Sequence, residues 1–447
     1  MSRQLLCAQW VIPVEPTNVV LHDHCVAVEN GKIAALLPTS VAIARWPNAV
    51  RVDLTGKVLI PGLVNLHSHA AMSLLRGAGD DLPLEQWLQQ RIWPLEAKLM
   101  SPQFVFDGSV MAAYEMVRGG ITCFNDMYFF PESTARAAQA LGMKATLGIV
   151  MIEFASPYGS GPDEYLSKGL ALRDQLRDDP LIRFSMAPHA PYTVSDANFV
   201  KIAAIAAELG LPINIHLHET AFEIQQSLKE YGKRPLQRLN DLGLLGPDLI
   251  AVHAVHLNDA EIELLARAGA SVAHCPHSNL KLASGLAPTA KLAQRGINIG
   301  IGTDGSASNN RLDLFAESRT AALLAKVASG DASCWPAHYT LRAATLAGAQ
   351  ALGLADQIGS IEVGKCADLV AVDLSDANYL PVFDAVSHLI YAVGRDSVAD
   401  VWINGKLVVS KRQLVDSNAA ATVSEVTGRS GLWHNRVGEI VSASRGA

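Results

Sequence analysis

No two cysteines stand close enough in sequence to suggest a structural knot. The six (Cys7, Cys25, Cys123, Cys275, Cys334 and Cys366) are scattered through 447 residues without a Cys-x-x-Cys pair. That pattern suits a reducing compartment and gives no sign of a disulfide framework. Basic runs are also missing and the net charge is -7, which argues against nucleic acid as a partner. No stretch approaches the roughly 18 apolar residues that span a bilayer. Gln4, Gln9 and Glu15 interrupt the apolar block a signal peptide needs, so a soluble, cytoplasmic protein is expected. Two motifs are absent or too weak to use. The His-x-Glu and Pro-Cys-x-x-Cys signature of zinc deaminases that act on nucleic-acid bases does not occur. The glycine-rich stretch Gly300–Gly305 is a lone match and does not support a dinucleotide-binding fold.

Hydrophobic residues, in contrast, make up 49% of the chain against 18% charged, as in a globular protein with a large core. The length suits one large barrel with an appendage. The most informative feature is His67-Ser68-His69, which closes the apolar run Val58–Leu66. In a strand, residues i and i+2 share a face, so the two imidazoles project together, as two thirds of a three-histidine metal site. Further strand-like runs end in His216-Leu217-His218-Glu219, in His253-Ala254-Val255-His256 and in Thr303-Asp304-Gly305. Polar clusters ending four buried strands are what a metal centre at one end of a parallel barrel requires.

Residues 1 to about 60 read as short strands, with a hairpin at Glu29-Asn30-Gly31-Lys32 because Asn-Gly tolerates positive φ. Residues 367–373 and 400–409 repeat that character, including Asn404-Gly405-Lys406. Neither segment can bury its own sheet, so residues 1-60 and 361-420 are expected to pair into one β domain. Residues 61-360 alternate strand and helix; Ser195-Asp196 caps a helix that Gly210 closes before the strand Ile213–Leu217 resumes. The expected class is α/β, a (β/α)8 barrel in 61-360 with a small β domain, and 421-447 as a surface-packed tail.

A zinc site in a hydrolase needs neutral imidazoles, a carboxylate and one open position. His67, His69, His216 and Asp304 supply that set, although strand parity alone does not choose between His216 and His218. Glycines before Asp304 leave room for close approach, while Asp304-Gly305 also suits an ordinary turn. Glu219 can move a proton beside such a site, or serve only as an acid in a first helical turn. His253 can hold the attacking water, or be a buried, hydrogen-bonded histidine.

Together these residues resemble the amidohydrolase superfamily, in its 5'-methylthioadenosine/S-adenosylhomocysteine deaminase branch. The segments that carry the likeness are Pro61–His69, Trp93–Leu99, Ala187–Thr193, His216–Thr220, His253–Leu257, Ala273–Pro276 with Ser278-Asn279, and Gly302–Gly305, followed by Gly359–Lys365 with Ala367-Asp368. The resemblance implies a distorted (β/α)8 barrel with a composite β-sandwich. It makes His67, His69, His216 and Asp304 ligands of one divalent metal, usually zinc. The fourth strand, ending in Met186–His189, lacks the lysine of binuclear relatives, so one metal ion is expected. Substrate contacts implied by the family fall on Glu96 at the ribose hydroxyls, on His189, and on Glu219 at the purine ring. Trp87, Trp93 and Pro94 would make the segment around Glu96 an apolar lid. Relatives that hold the homocysteine carboxylate with an arginine have no counterpart in Ala145–Ile152, where Met151 is apolar. The implied reaction is hydrolytic deamination of the adenine 6-amino group, with 5'-methylthioadenosine and adenosine ahead of S-adenosylhomocysteine. Glu219, His253 and Asp304 are the expected catalytic groups. The expected partners are a purine nucleoside and water, without nucleic acid or membrane, and assembly into a homo-oligomer stays open. The alternatives are another aminohydrolase of guanine, cytosine or triazine type and, more remotely, a silent assembly homologue.

Overall fold

The computed structural model describes residues 3–445, and it divides the strands into two eight-stranded sheets. One is parallel and consecutive in chain order: Leu63–Ser68, Ile121–Asp126, Lys144–Met151, Ile182–Pro188, Ile213–Leu217, Leu249–His253, Ser271–His274 and Asn298–Ile301. Nearly every residue in these strands is buried, since helices cover the outside and side chains fill the inside.

The eighth strand returns to the first. Asp304 N donates to His67 O at 3.0 Å, and the Asn65 amide bonds both Thr303 N and Thr303 Oγ1, at 2.9 and 2.8 Å. Glycine permits this closure: a Cβ on Gly302 would stand 2.9 Å from His67 N, and one on Gly300 would stand 2.5 Å from Leu66 Cδ2. The room that the glycine-rich strand promised is used by the first strand's backbone.

The second sheet is mixed and joins the two ends of the chain. Its order is Gln413–Leu414, Lys406–Ser410, Val398–Ile403, Leu369–Asp373, Val50–Pro61, Gln4–Val11, Leu21–Glu29 and Lys32–Pro38. Both Asn-Gly turns form, with Asn30 and Gly31 at φ 50° and 79°, and Asn404 and Gly405 at 50° and 70°. They also touch: a Cβ on Gly405 would stand 3.0 Å from Gly31 Cα.

Three features differ from the sequence reading. Cys7 and Cys25 face each other across two antiparallel strands, with Cα atoms 4.1 Å apart, and form a disulfide. Eighteen residues of separation hid a register in which they are direct partners. Val200, which belongs with Phe199, Ile202 and Ala206 to the apolar positions at helical spacing in the Asp196–Leu209 helix, is 52% exposed, while those three carry the burial. The chain beyond the sheet is a single helix, Ser417–Arg445; residues 446 and 447 of the expected tail lie outside the described residues. Among the described residues no helix is long and apolar enough to cross a membrane.

Candidate active site

The C-terminal ends of the first, fifth, sixth and eighth barrel strands bring five polar side chains together. His67 is the fifth residue of the first strand, and His69 lies just past its end, opening a short 3-10 turn. Their Nε2 atoms stand 3.6 and 3.2 Å from Asp304 Oδ1. His216 Nε2 lies 3.2 Å from His67 Nε2 and 3.3 Å from His69 Nε2.

Those distances fit a metal. Four donors around a tetrahedral ion at roughly 2.0–2.1 Å stand about 3.3 Å from one another. The hydrogen bonds point the same way. His69 Nδ1 donates to Met127 O at 2.6 Å, and His216 Nδ1 donates to His189 O at 2.7 Å. In the neutral rings both Nε2 atoms are therefore bare lone pairs facing each other, an arrangement that a cation between them makes favourable. His253 extends the cluster, since with His67 and His216 it forms a second group of donors close enough to share an ion.

His216 and His218, which parity left equivalent, are separated by where the strand stops. It ends at Leu217, and His218 adopts φ 56°. This turns its ring away from the site, where Nε2 accepts from Leu236 N at 3.0 Å. His253 and Asp304 also take left-handed backbone, at φ 70° and 59°. Such conformations in non-glycine residues gather where the surrounding structure over-determines them.

Burial sets the electrostatics. It holds the His216 imidazole well below its usual range, and lowers His67 to about 4 against the pull of Asp304. In His69 burial is outweighed by the Asp304 carboxylate and the ring is carried up to about 9. Asp304, despite burial, is held well below the carboxylate range by His67 and His69. Its Oδ2 also accepts from Ser278 and Ser308 at 2.6 and 3.0 Å.

Glu219 is buried, and burial raises its carboxyl above the usual value. Its Oε2 lies 3.6 Å from His253 Nε2. His253 is oriented from behind, with Nδ1 2.8 Å from Asn279 Oδ1. Glu219 is aimed by Glu223, whose carboxylate accepts the backbone N–H of both His218 and Glu219 at 2.9 and 2.8 Å.

Above the cluster lies a cavity that opens at the barrel mouth. Its walls include Trp87, Trp93, Phe129, Val150, Ile152 and Leu282. Glu96 reaches it from the Trp93–Leu99 helix and is 9% exposed, so it is no solvated helix-face acid. Tyr128 Oη donates to Glu96 Oε1 at 2.7 Å, and burial pushes that carboxyl up to about 7. His189 also lines the cavity, its Nδ1 3.0 Å from Thr193 Oγ1. Met151 does not line it. That side chain packs in the barrel core, and its neighbours Val150 and Ile152 face the cavity instead. Tyr128, Asn214, Glu223 and Asn279 are the contributors that the sequence reading gave no role; all but the local Glu223 act through a partner remote in sequence.

A buried set of three imidazoles and a carboxylate at the C-terminal mouth of a parallel barrel, beneath an apolar cavity, defines a metal-dependent hydrolase. Residues 58–408 match the amidohydrolase family, and the chain belongs to it. It is 46% identical to a 5-methylthioadenosine/S-adenosylhomocysteine deaminase of Teredinibacter turnerae, over 97% of each chain. A deaminase of the same name from Saccharophagus degradans is 45% identical over 92% of each. The solved structure of an adenosine deaminase from Xanthomonas campestris with bound zinc is 51% identical and superposes with a TM-score of 0.93, covering 97% of this chain and 98% of that one. An atrazine chlorohydrolase from Arthrobacter aurescens, at 24% identity and TM-score 0.88 over 96% of this chain and all of that one, shares the fold.

Proposed function

We propose that this protein hydrolytically deaminates the adenine 6-amino group of adenosine-type nucleosides, with 5'-methylthioadenosine and adenosine preferred over S-adenosylhomocysteine. The observation that carries the reading is the convergence of His67, His69, His216 and Asp304 beside a buried Glu219 whose carboxyl burial raises above its usual value. The names of the two deaminases and of the adenosine deaminase above support it.

In this reading His67, His69, His216 and Asp304 hold one divalent ion, zinc by likeness to the Xanthomonas campestris protein. When bound, such an ion supplies Lewis acidity that makes water a stronger acid at neutral pH. The chain's own groups do the rest. Asp304, kept ionised, accepts the proton that the attacking water gives up. His253, held by Asn279, hydrogen-bonds that water and orients it towards C6. Glu219, whose proton affinity burial raises, donates to N1, so that C6 becomes tetrahedral without charge on the ring. Asp304 then passes the water proton to the amine, ammonia leaves, and the C6 hydroxyl gives up its proton to restore Glu219, so that the C6 carbonyl of an inosine analogue remains.

Glu96 accepts a ribose hydroxyl through the oxygen that Tyr128 leaves free, and His189, which lines the same cavity, also contacts the sugar. A free base offers no hydroxyl there, which disfavours guanine, cytosine or triazine substrates. No lysine or arginine is among the residues lining this cavity or the outer one beside it, where Glu85 and Glu153 stand. A homocysteine carboxylate therefore finds no counter-ion, while a methylthio group meets apolar walls. A cytoplasmic setting belongs to the same proposal, supported by the free thiols Cys123, Cys275, Cys334 and Cys366, with Cys7–Cys25 the exception.

The test is ultraviolet monitoring of the adenine-to-hypoxanthine change with zinc-loaded protein. Turnover of 5'-methylthioadenosine and adenosine well above S-adenosylhomocysteine is expected. Turnover of guanine or cytosine with silence on every adenosine would overturn the substrate reading.

A further inference from the structure

Two of the three clustered imidazoles have their Nδ1 fixed by a backbone carbonyl, His69 by Met127 O and His216 by His189 O. A carbonyl only accepts, so those rings have one neutral tautomer available, with Nε2 bare. The third is different. His67, wholly buried, has the side chain of Asn214 as its Nδ1 neighbour, at 3.4 Å through Nδ2. Asn214 sits two residues before His216 on the fifth barrel strand, on the same inward face, and is itself fully buried. Its Oδ1 has no hydrogen-bond partner.

In this orientation the amide presents N–H to Nδ1, which forces the ring proton onto Nε2, the atom that faces His216 and Asp304. A ring protonated there cannot donate its lone pair to a metal. Rotating the amide by half a turn exchanges nitrogen and oxygen, atoms that shape alone does not distinguish. The orphaned oxygen then receives Nδ1–H, and His67 takes the same tautomer as the other two rings.

We propose that Asn214 is the positioning residue for His67: its side-chain oxygen accepts the Nδ1–H and holds the Nε2 lone pair towards a bound divalent ion. The inference rests on the reading of His67 as a ligand. Groups of this kind behind a ligating histidine alter metal affinity by about 10- to 100-fold when removed. Asn214 touches neither substrate nor ion. It acts through the ring, so affinity rather than the chemical step is what it sets.

The test compares zinc affinities, by competition with a chromogenic chelator, for the full-length wild type, Asn214→Leu and Asn214→Asp. Leucine fills the space without an acceptor and is expected to weaken zinc binding by about 10- to 100-fold. Aspartate keeps an oxygen facing Nδ1 and is expected to stay within about threefold of wild type. Zinc binding by Asn214→Leu equal to wild type overturns the proposal, as does a loss in Asn214→Asp as large as in Asn214→Leu. A wild-type chain that holds no zinc overturns instead the metal-site reading beneath it. Should Asn214→Leu fail to fold, neutron diffraction from zinc-loaded wild-type crystals decides directly. A deuteron on His67 Nδ1 aimed at the Asn214 oxygen is expected, and amide deuterons aimed at the ring would overturn the assignment.

Discussion

At the scale of single residues, the site contains two carboxyl groups that burial raises above their usual range, and each yields a measurable consequence. Glu219 is buried beside His253, and the proposed reaction uses it to protonate the ring nitrogen of a bound purine. Glu219→Gln keeps the shape and removes the proton transfer; turnover should fall by about 10²–10⁴, with zinc content per chain unchanged. Turnover equal to wild type would remove Glu219 from the mechanism. Glu96 makes a pH prediction. Its carboxyl rises from 4.5 to about 7, because burial outweighs the opposing pull of Tyr128 and His69. Below the unfolded value the group is neutral in both states and burial costs little. As pH climbs towards 7 the unfolded chain ionises first, and the folded state loses stability by up to about 3 kcal/mol. Glu96→Gln does not ionise, and its amide oxygen can still accept from Tyr128. Its melting temperature relative to wild type should therefore rise between about pH 5 and about pH 8. A difference independent of pH would show that Glu96 is ionised in the fold throughout.

At the scale of elements, the end of a strand matters as much as its face. Alternation made His67 and His69 legible as a pair, and the hairpins at Asn30-Gly31 and Asn404-Gly405 announced themselves through turn chemistry. The Asp196–Leu209 helix could be read to the residue, from Ser195, which accepts from Asn198 N, to Gly210 at φ 62°. Alternation failed at His218, because it presumes a strand that continues, and this one stops one residue earlier. The supporting residues escaped for another reason. Tyr128 meets Glu96 across 32 residues and Asn214 meets His67 across 147, contacts that only the tertiary fold creates. Cys7 and Cys25 needed a register that spacing does not encode. Glu223, by contrast, is local. It lies in the first turn of the Ala221–Tyr231 helix, capped by Thr220 Oγ1, and reaches back to two N–H groups at the strand's end. Its removal leaves those two buried donors unpaired, at about 1–3 kcal/mol each. Glu223→Ala should thus lower the melting temperature and reduce turnover by displacing Glu219, while Glu223→Gln, which retains an acceptor oxygen, should do less of both. Equal effects of the two substitutions would mean that charge, not the hydrogen bonds, is what the turn requires.

At the scale of the molecule, the cavity is enclosed by parts that come from opposite ends of the barrel's chain. The lid residues Leu84, Trp87, Ile92 and Leu95 belong to one apolar cluster with Leu99, Phe104 and Tyr128, and Trp433 of the Ser417–Arg445 helix is in the same cluster. That helix lies beyond the 58–408 region matched by the family. It packs on the Trp93–Leu99 and Pro102–Arg118 helices, and its attachment is specific. Asp107, fully buried in the second of these, accepts from Arg429 Nη2 and Nε at 2.6 and 2.9 Å and from Trp433 Nε1 at 2.9 Å. The pair holds the Asp107 carboxyl below its usual value although burial opposes it. Trp433 also meets Phe104 edge to face at 5.3 Å. The lid carrying Glu96 therefore rests on a helix some 330 residues later in the chain, roughly the separation of Trp433 from Asp107. Trp433→Ala empties part of that cluster and leaves a buried carboxylate with one donor fewer, which should destabilise the protein by about 3–5 kcal/mol. If the helix supports the lid, the KM for 5'-methylthioadenosine should rise in this variant by more than kcat falls, measured below its melting temperature, because the proposed function gives Glu96 a contact to the sugar and no part in the bond changes. Trp433→Phe keeps the apolar volume but not the N–H, and should recover most of the stability and most of the KM. A stability loss in Trp433→Ala with KM unchanged would make the helix a brace for the barrel wall alone and leave the lid to close without it.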